Sequence, residues 1–506
     1  MSELIDARLV SGTDPNGGSG EATKGTQQDI YFFTSIEDFP PGVGDLSLTH
    51  DDAQGFYDYV KQFNTPNGWY RDASVGQWIY EETYDNYLDD YGFDAAKVVY
   101  HSGHGGMASN GVFSIPVGND WGGDHWTSSN DMRLGNEYAR YVFWSTCESV
   151  RVKGGQSPIR TWQTANLGLR MIFGYETVSV DNGDYGRFFF QEWNKNKSFS
   201  TAFLDASWRI SHGQEPAVTA CGATQAEATD RLFNERLFDA GRASTTWWWW
   251  RWYDRASLRA RSLDVPAGVR SAKFAAASAR DLAGAWTDRF GGEARLVLGA
   301  NGAREVTLAG TAVSDARLTD EQAVAAARQA IERYRLAEHA DLALDHIRYD
   351  RHAGASADEQ VDEQVRERSV GFVQLIDGVP VVSPDGGRLH VRVDNEGTVT
   401  GIADSTRPVA DLRDASAAPP RPVPRQRTGV DAVSNLDELF GESLQRRLRR
   451  AAAGGRVPSA VRVVPDSTEV GYAVHGDGAV LVARREVEVD FGGGLAKRYV
   501  LEEPVS

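Results

Sequence analysis

The sequence predicts an α/β fold: a mostly parallel sheet with helices on both faces, followed by smaller α+β units. Three observations predict it. Over residues 29–255 short apolar runs alternate with stretches of helical spacing, as parallel strands do when crossover helices cover them. Two of those runs, "VVYHSGHGG" and "YVFWSTCES", break into loops that carry His104 and Cys147. Beyond residue 290 aromatics thin out and valines alternate with polar residues, which suits hairpins.

Taken in order, 1–28 reads as a flexible polar tail. "DIYFFTS" (29–35) is a buried strand. "HDDAQGFYDYVKQF" (50–63) is a helix with Phe56, Tyr59, Val60 and Phe63 on one face. "EETYDNYLDDYGF" (81–93) is a second helix. Strands follow at 96–106, 139–149 and 167–177, and helices at 186–196 and 200–211. "TTWWWWRWYDRA" (245–256) closes the block, and packing explains it better than an aromatic ligand platform, since Trp is costly to expose. Residues 256–290, rich in Ala, Arg and Ser, read as a linker. An α+β unit is expected over 291–406, a Pro-rich linker over 407–429 and a second α+β unit over 430–506.

Charge and composition narrow the function classes. Net charge is −18, and residues 1–150 hold 7 Lys/Arg against 23 Asp/Glu. An acidic first third argues against nucleic acid, which needs a basic face, and mildly favours cationic ligands. No apolar run approaches the length of a membrane span. Two cysteines make no disulfide framework. The first residues lack a basic stretch followed by an apolar one, so the cytoplasm is the default compartment.

The chemistry concentrates in two short blocks. A cysteine nucleophile needs a base to raise its thiolate fraction and backbone N–H groups to hold an oxyanion. "HSGHGG" offers His101 and His104 as bases, and its glycines let a backbone N–H approach a carbonyl. The 43 residues from His104 to Cys147 suffice for one excursion between adjacent parallel strands. Both residues then stand at the carboxyl ends of strands, where open α/β sheets carry their sites. Zinc binding by His101, His104, His125 and Cys147 is the competing chemistry, but the glycines oppose the helix that His-x-x-His would need. Cys221, with no His-Gly block beside it, reads as structural. Asp181 and Asp184 follow a predicted strand; they read as turn residues first and as acceptors of a basic side chain second.

An apolar strand before His-Gly and an apolar strand before a cysteine resemble the caspase-like cysteine peptidases, the group of legumains, gingipains, separases and caspases. The Cys-Glu-Ser run is most similar to legumain. The resemblance spans roughly 29–255 and implies a Cys147–His104 dyad with oxyanion donors at the backbone N–H groups near Gly105 and at Cys147. It implies no cofactor and no metal. Thr146 stands where many relatives have Ala or Gln, and His101 is extra to the pattern. His101, His125, Glu148, Asp181 and Asp184 are candidate cleft residues. "VGFVQLIDGVPVVSPDGGRLHVRVDNEGTVTGI", with Gln374, Gly378-Val379-Pro380-Val381 and Asn395-Glu396-Gly397, resembles the prodomain module of fungalysin- and thermolysin-type proteases. The segment 430–506 looks like the repeat that often follows it. In those families the module chaperones or inhibits the catalytic domain, and it would fit an exported protein.

The expectation is therefore an endopeptidase acting on peptides or proteins, with a weak lean to basic residues and an intramolecular C-terminal regulator. A binding or scaffold protein on a peptidase-like fold and a peptide ligase or cyclase stand as alternatives. The basic runs "RARS" (259–262) and "QRRLRR" (445–450) read as solvated faces first and as self-cleavage sites second.

Overall fold

Burial on both faces builds the central sheet. In the computed structural model, which describes residues 30–119, 124–259, 263, 270–275, 286, 290, 295–299, 302–308, 317–414, 436–452 and 457–505, every residue of Tyr31–Ser35 (β1) is buried. Phe32 enters one core, and Tyr31 and Phe33 enter the other. A strand can serve two cores only when both of its faces are covered. The elements after β1 are Thr49–Val60 (α1), Gly68–Arg71 (β2), Asp85–Tyr91 (α2), Val98–Ser102 (β3), Gly106–Met107 (β4), Phe113–Pro116 (β5), Trp126–Ser128 (β6) and Tyr141–Ser145 (β7). Then come Pro158–Trp162 (α3), Met171–Tyr175 (β8), Tyr185–Trp193 (α4), Phe199–Trp208 (α5), Pro216–Gly222 (β9), Gln225–Asn234 (α6) and Trp247–Ser257 (β10).

The second half contributes Arg270–Phe274 (β11), Arg295–Leu298 (β12), Arg304–Thr307 (β13), Asp320–Arg333 (α7), Asp341–Ser356 (β14), Gln360–Ile376 (β15), Val379–Pro380 (β16), Arg388–Asp394 (β17), Val399–Asp404 (β18) and Val409–Asp414 (β19). The chain ends with Leu436–Ala451 (α8), Ala460–Val463 (β20), Glu469–His475 (β21), Gly478–Gly492 (β22) and Leu495–Pro504 (β23). Thr319 caps α7 with a reciprocal Gln322 bond, the signature of a helix start. Among the described residues no helix is long and apolar enough to cross a membrane.

The fold is mixed α/β, with strand (39%) exceeding helix (24%). The expected parallel character holds only for β2-β1-β3-β7-β8. From β9 onward the same sheet runs antiparallel through β10, β14, β15, β17, β18, β13 and β12, with β16 on β15, to 14 strands in all. The excess strand comes from the long hairpins of the second half. Helices lie on both faces, but on one of them they share the cover with sheet. Phe56 of α1, Phe189 and Phe190 of α4, Phe203 of α5 and Leu232 of α6 pack on one side. The other side is covered by α2, α3, the small sheet β4-β5-β6 and the C-terminal sheet, whose Tyr472, Leu481, Phe491, Leu495 and Tyr499 share one core with Phe32, Val99 and Trp144.

The tryptophan run explains why the two halves make one sheet. In β10, Trp248, Trp250 and Trp252 enter one core, and Trp249 and Tyr253 the other. Each buried ring is worth roughly 4–6 kcal/mol of gross transfer free energy, so these rings are packing and not a ligand platform. β10 pairs with β9 on one edge and with β14 along eleven residues on the other. Opposite Trp249 stands Gly354, where a Cβ would lie 1.9 Å from the indole. Arg251 and Asp350 tie the same two strands by a buried two-pronged ion pair at 2.6 and 2.7 Å.

The span 256–290 read as linker contains β11, which pairs with β19 and β22; β19 in turn occupies the start of the span 407–429. The tail 1–28, residues 260–262 of "RARS" and residues 415–429 lie outside the described residues. "QRRLRR" is on α8, where the Arg450 guanidinium meets Glu37 at 3.1 Å.

Candidate functional site

The register of two strands places the predicted pair. β3 and β7 are adjacent and parallel, with Ser102 opposite Ser145. His104 and Cys147 each follow two residues later. Gly105 packs so closely that a Cβ there would lie 2.9 Å from the Thr146 Cβ and 3.1 Å from the Cys147 carbonyl oxygen. Thr146 therefore shapes the turn against which the glycine loop rests. Glu148 takes a left-handed φ of 55° and its carboxylate accepts from the Met107 N–H at 3.1 Å. That bond joins the turn after the cysteine to the strand after the His-Gly loop.

His104 is fully buried, between the rings of Phe39 and Phe491 at 5.0 and 5.3 Å. Its Nε2 lies 2.8 Å from the Gly44 carbonyl oxygen. A carbonyl only accepts, so the neutral ring carries its proton on Nε2, and Nδ1 holds the basic lone pair. The Cys147 sulfur receives the Ser179 N–H at 3.3 Å and lies 3.5 Å from the Ser179 hydroxyl. Its own S–H donates to the Ala496 carbonyl at 3.1 Å.

Ala496 belongs to β23, and β23 covers the site. The Arg498 N–H donates to the Ser179 carbonyl at 3.1 Å and the Asp181 N–H to the Arg498 carbonyl at 2.8 Å, a parallel bridge of Arg498 with Val180. Between them the buried Lys497 sends its ammonium to the Ser179 hydroxyl at 3.2 Å and the Gly103 carbonyl at 3.5 Å. The turn before β23, Gly492-Gly493-Gly494, has positive φ throughout. A Cβ on Gly106 would lie 2.2 Å from the Gly494 carbonyl oxygen, so the glycine loop of the site and the glycine turn of the tail fit one another.

Of the expected cleft residues, Asp181 is at the site. Burial pushes its carboxyl up, while Lys497, Arg447 and the N–H groups of Ser47 and Leu48 pull it back. His101 is not in the cleft. β3 turns it into the core, where Thr34 and Tyr80 hydroxyls meet its Nδ1 at 2.9 and 3.0 Å, and burial, then Lys497, pushes its pKa down to about 3. His125 is half-buried beside Trp126, its backbone carbonyl accepting from Val117. Asp184 precedes α4 and pairs at the surface with Arg187 at 2.7 Å. Cys221 is buried in β9, takes a bond from the Asn166 amide at 3.3 Å, and has its thiol pushed up by burial. Sequence reasoning missed Ser179, Ala496 and Lys497, because nothing local marks a residue that acts by meeting a distant strand.

The fold and the site together define a mixed α/β protein with a thiol and an imidazole at neighbouring strand ends, closed by its own C-terminal strand. A family model described as a domain of unknown function, DUF6345, matches residues 33–252; the match takes in both His104 and Cys147, stops within β10 and leaves out the strand that covers them. Among curated proteins, none matches the chain.

Proposed function

We propose that this chain is a caspase-like cysteine peptidase whose propeptide-like C-terminal region holds it closed. The observation that carries the reading is the paired exit of His104 and Cys147 from adjacent, in-register parallel strands. In the open form His104 Nδ1 takes the thiol proton and the thiolate attacks a peptide carbonyl carbon. Backbone N–H groups near Gly105 and at Cys147 hold the oxyanion. The C–N bond breaks as the imidazolium returns its proton to the departing amine. Water, deprotonated by His104, then hydrolyses the thioester.

Two further observations support a peptide substrate. Residues 179–181 already hydrogen-bond an extended strand, a common mode of peptide recognition. The neighbourhood of Ser179 and Asp181 already accommodates a lysine side chain, in keeping with a lean to basic residues. In the closed form the S–H is engaged by Ala496 and the sulfur is buried, so attack requires β23 to leave.

The test compares a diverse peptide library incubated with the wild-type chain, with Arg498→Pro and with Arg498→Pro/Cys147→Ala, read by mass spectrometry. Cleavage in Arg498→Pro that vanishes with the thiol supports the peptidase. Joined peptides in place of fragments identify a ligase or cyclase. No turnover in any variant favours the second reading, a non-catalytic binding protein, which the burial of Cys147 supports.

A further inference from the structure

Three histidines far apart in sequence meet at one place in the fold. His346 is on β14, Gly371 on β15 and His390 on β17, and they stand in one row across the three strands, His346 opposite Gly371 and Gly371 opposite His390. Cross-strand partners share a face. The glycine between them makes room for the His346 ring: a Cβ there would lie 2.6 Å from it. His212, in the loop after α5, reaches over the same place, stacked on Trp208 at 4.8 Å. The ring centroids are 4.8 Å apart for His212 and His346, 5.4 Å for His346 and His390, and 6.3 Å for His212 and His390.

The nitrogens are as telling as the spacing. His212 Nε2, His346 Nε2 and His390 Nδ1 are all buried without a hydrogen-bond partner among the described residues. Buried polar atoms are normally paired, and three orphans in one cluster call for a common partner. His346 Nδ1 lies 2.9 Å from the Asp345 carboxylate, which leaves Nε2 as its outward lone pair. Asp345 is itself fixed by Arg259 at 2.9 Å and Arg388 at 2.7 Å. A carboxylate behind a histidine, setting its tautomer, is the usual support of a metal-binding imidazole.

We propose that His212, His346 and His390 bind a zinc ion, with Asp345 as the positioning residue behind His346. Zinc–nitrogen bonds of about 2.0–2.1 Å in tetrahedral geometry place imidazole centroids about 5 Å apart. Two of the three spacings already match, and a small swing of His390 closes the third. Water or an anion fills the fourth position. A cavity of ≈ 140 Å³, lined by His390 and Trp208 together with arginines and carboxylates such as Arg348 and Asp205, adjoins the site. Among the described residues, His212, Asp345 and His346 are the group whose potential ligand atoms come together, within 4.8 Å; His390 stands outside that group and joins it by swinging inward, and the competing zinc set of His101, His104, His125 and Cys147 does not assemble. The site is independent of the peptidase reading.

The experiment titrates Zn²⁺ into the chelator-stripped full-length protein by calorimetry at pH 7.5. Parallel samples carry His346→Gln, His390→Gln or Cys147→Ser, and Co²⁺ serves as an optical probe. One equivalent of Zn²⁺ binds the wild type and Cys147→Ser, raises Tm, and displaces Co²⁺, which in the zinc-free protein gives the visible absorption of a tetrahedral site. Affinity falls at least about 100-fold in each histidine variant. Circular dichroism of the metal-free variants, matching the wild type, separates lost ligands from lost folding; if both are unfolded, cobalt absorption of the wild type decides. No binding to the wild type, undiminished binding in folded His346→Gln and His390→Gln, or loss in Cys147→Ser overturns the site.

Discussion

The Cys147 thiol and the Ala496 carbonyl oxygen lie 3.1 Å apart across 349 residues of chain. That bond places the C-terminal strand on top of the sulfur. Loosening β23 therefore exposes the thiol. Arg498→Pro removes the N–H that Ser179 accepts, and proline cannot serve a ladder. Iodoacetamide should label Cys147 at least about tenfold faster in this variant, with Cys221 as the unchanged internal control. Equal rates at Cys147 in wild type and variant would refute closure by β23.

Gly106→Ala tests the same closure from the other side. A Cβ 2.2 Å from the Gly494 carbonyl oxygen forces the glycine turn away, and overpacking of this kind costs about 1–3 kcal/mol. The variant should be less stable in urea and quicker to label at Cys147. Gly441→Ala, on α8 with open space around it, should do neither.

Lys497→Met leaves the buried Asp181 carboxyl without a cation that pulls its pKa down. A stability loss of about 1–3 kcal/mol is expected, largely recovered in Lys497→Met/Asp181→Asn. A double-mutant cycle by urea denaturation measures the coupling. Additive losses would show that the two groups do not interact.

Arg251→Met leaves the buried Asp350 with the more distant Arg366, at 3.5 Å, between the two halves of the sheet. Breaking a buried ion pair by removing one partner costs about 3–5 kcal/mol, and Arg251 also donates to Ser200 and Thr201 at 3.2 and 2.8 Å. Arg335→Met, at an exposed pair with Glu338, should cost under about 1 kcal/mol. Comparison of the two unfolding midpoints is the check.

Acid should weaken the fold through His101. Its pKa falls from about 6.5 in the unfolded chain to about 3 in the folded one. Between those values the unfolded state binds the extra proton, so stability drops as pH falls, by up to about 1.4 kcal/mol per pH unit. Raised carboxyls such as Asp52 and Asp181 act in the opposite sense. The measurement is accordingly the difference between wild type and His101→Asn at pH 7 and pH 4.5. The wild type should lose more, and parallel loss would remove His101 from the account.

Much of the first half was legible. Tyr31–Ser35, Val98–Ser102, Tyr141–Ser145 and Met171–Tyr175 are strands where the apolar runs predicted them, and α1, α4 and α5 fall on the helical patterns. The stretch 81–93 is shorter than predicted, with α2 starting only at Asp85 after a single tight turn at Glu82–Tyr84. An apolar strand face records that it is covered and not by what, so the C-terminal sheet that joins α2 and α3 on one face was not predicted.

The sequence by itself determined the strand ends that carry His104 and Cys147, because local periodicity and glycine placement are properties of a few neighbouring residues. Only the tertiary structure decided that His101 turns inward, that Ala496 and Lys497 close over the thiol, and that His212, His346 and His390 converge. Those outcomes depend on which strands become neighbours across hundreds of residues. Pairing of that kind is set by the summed burial of both sheets, and no short stretch of sequence contains it.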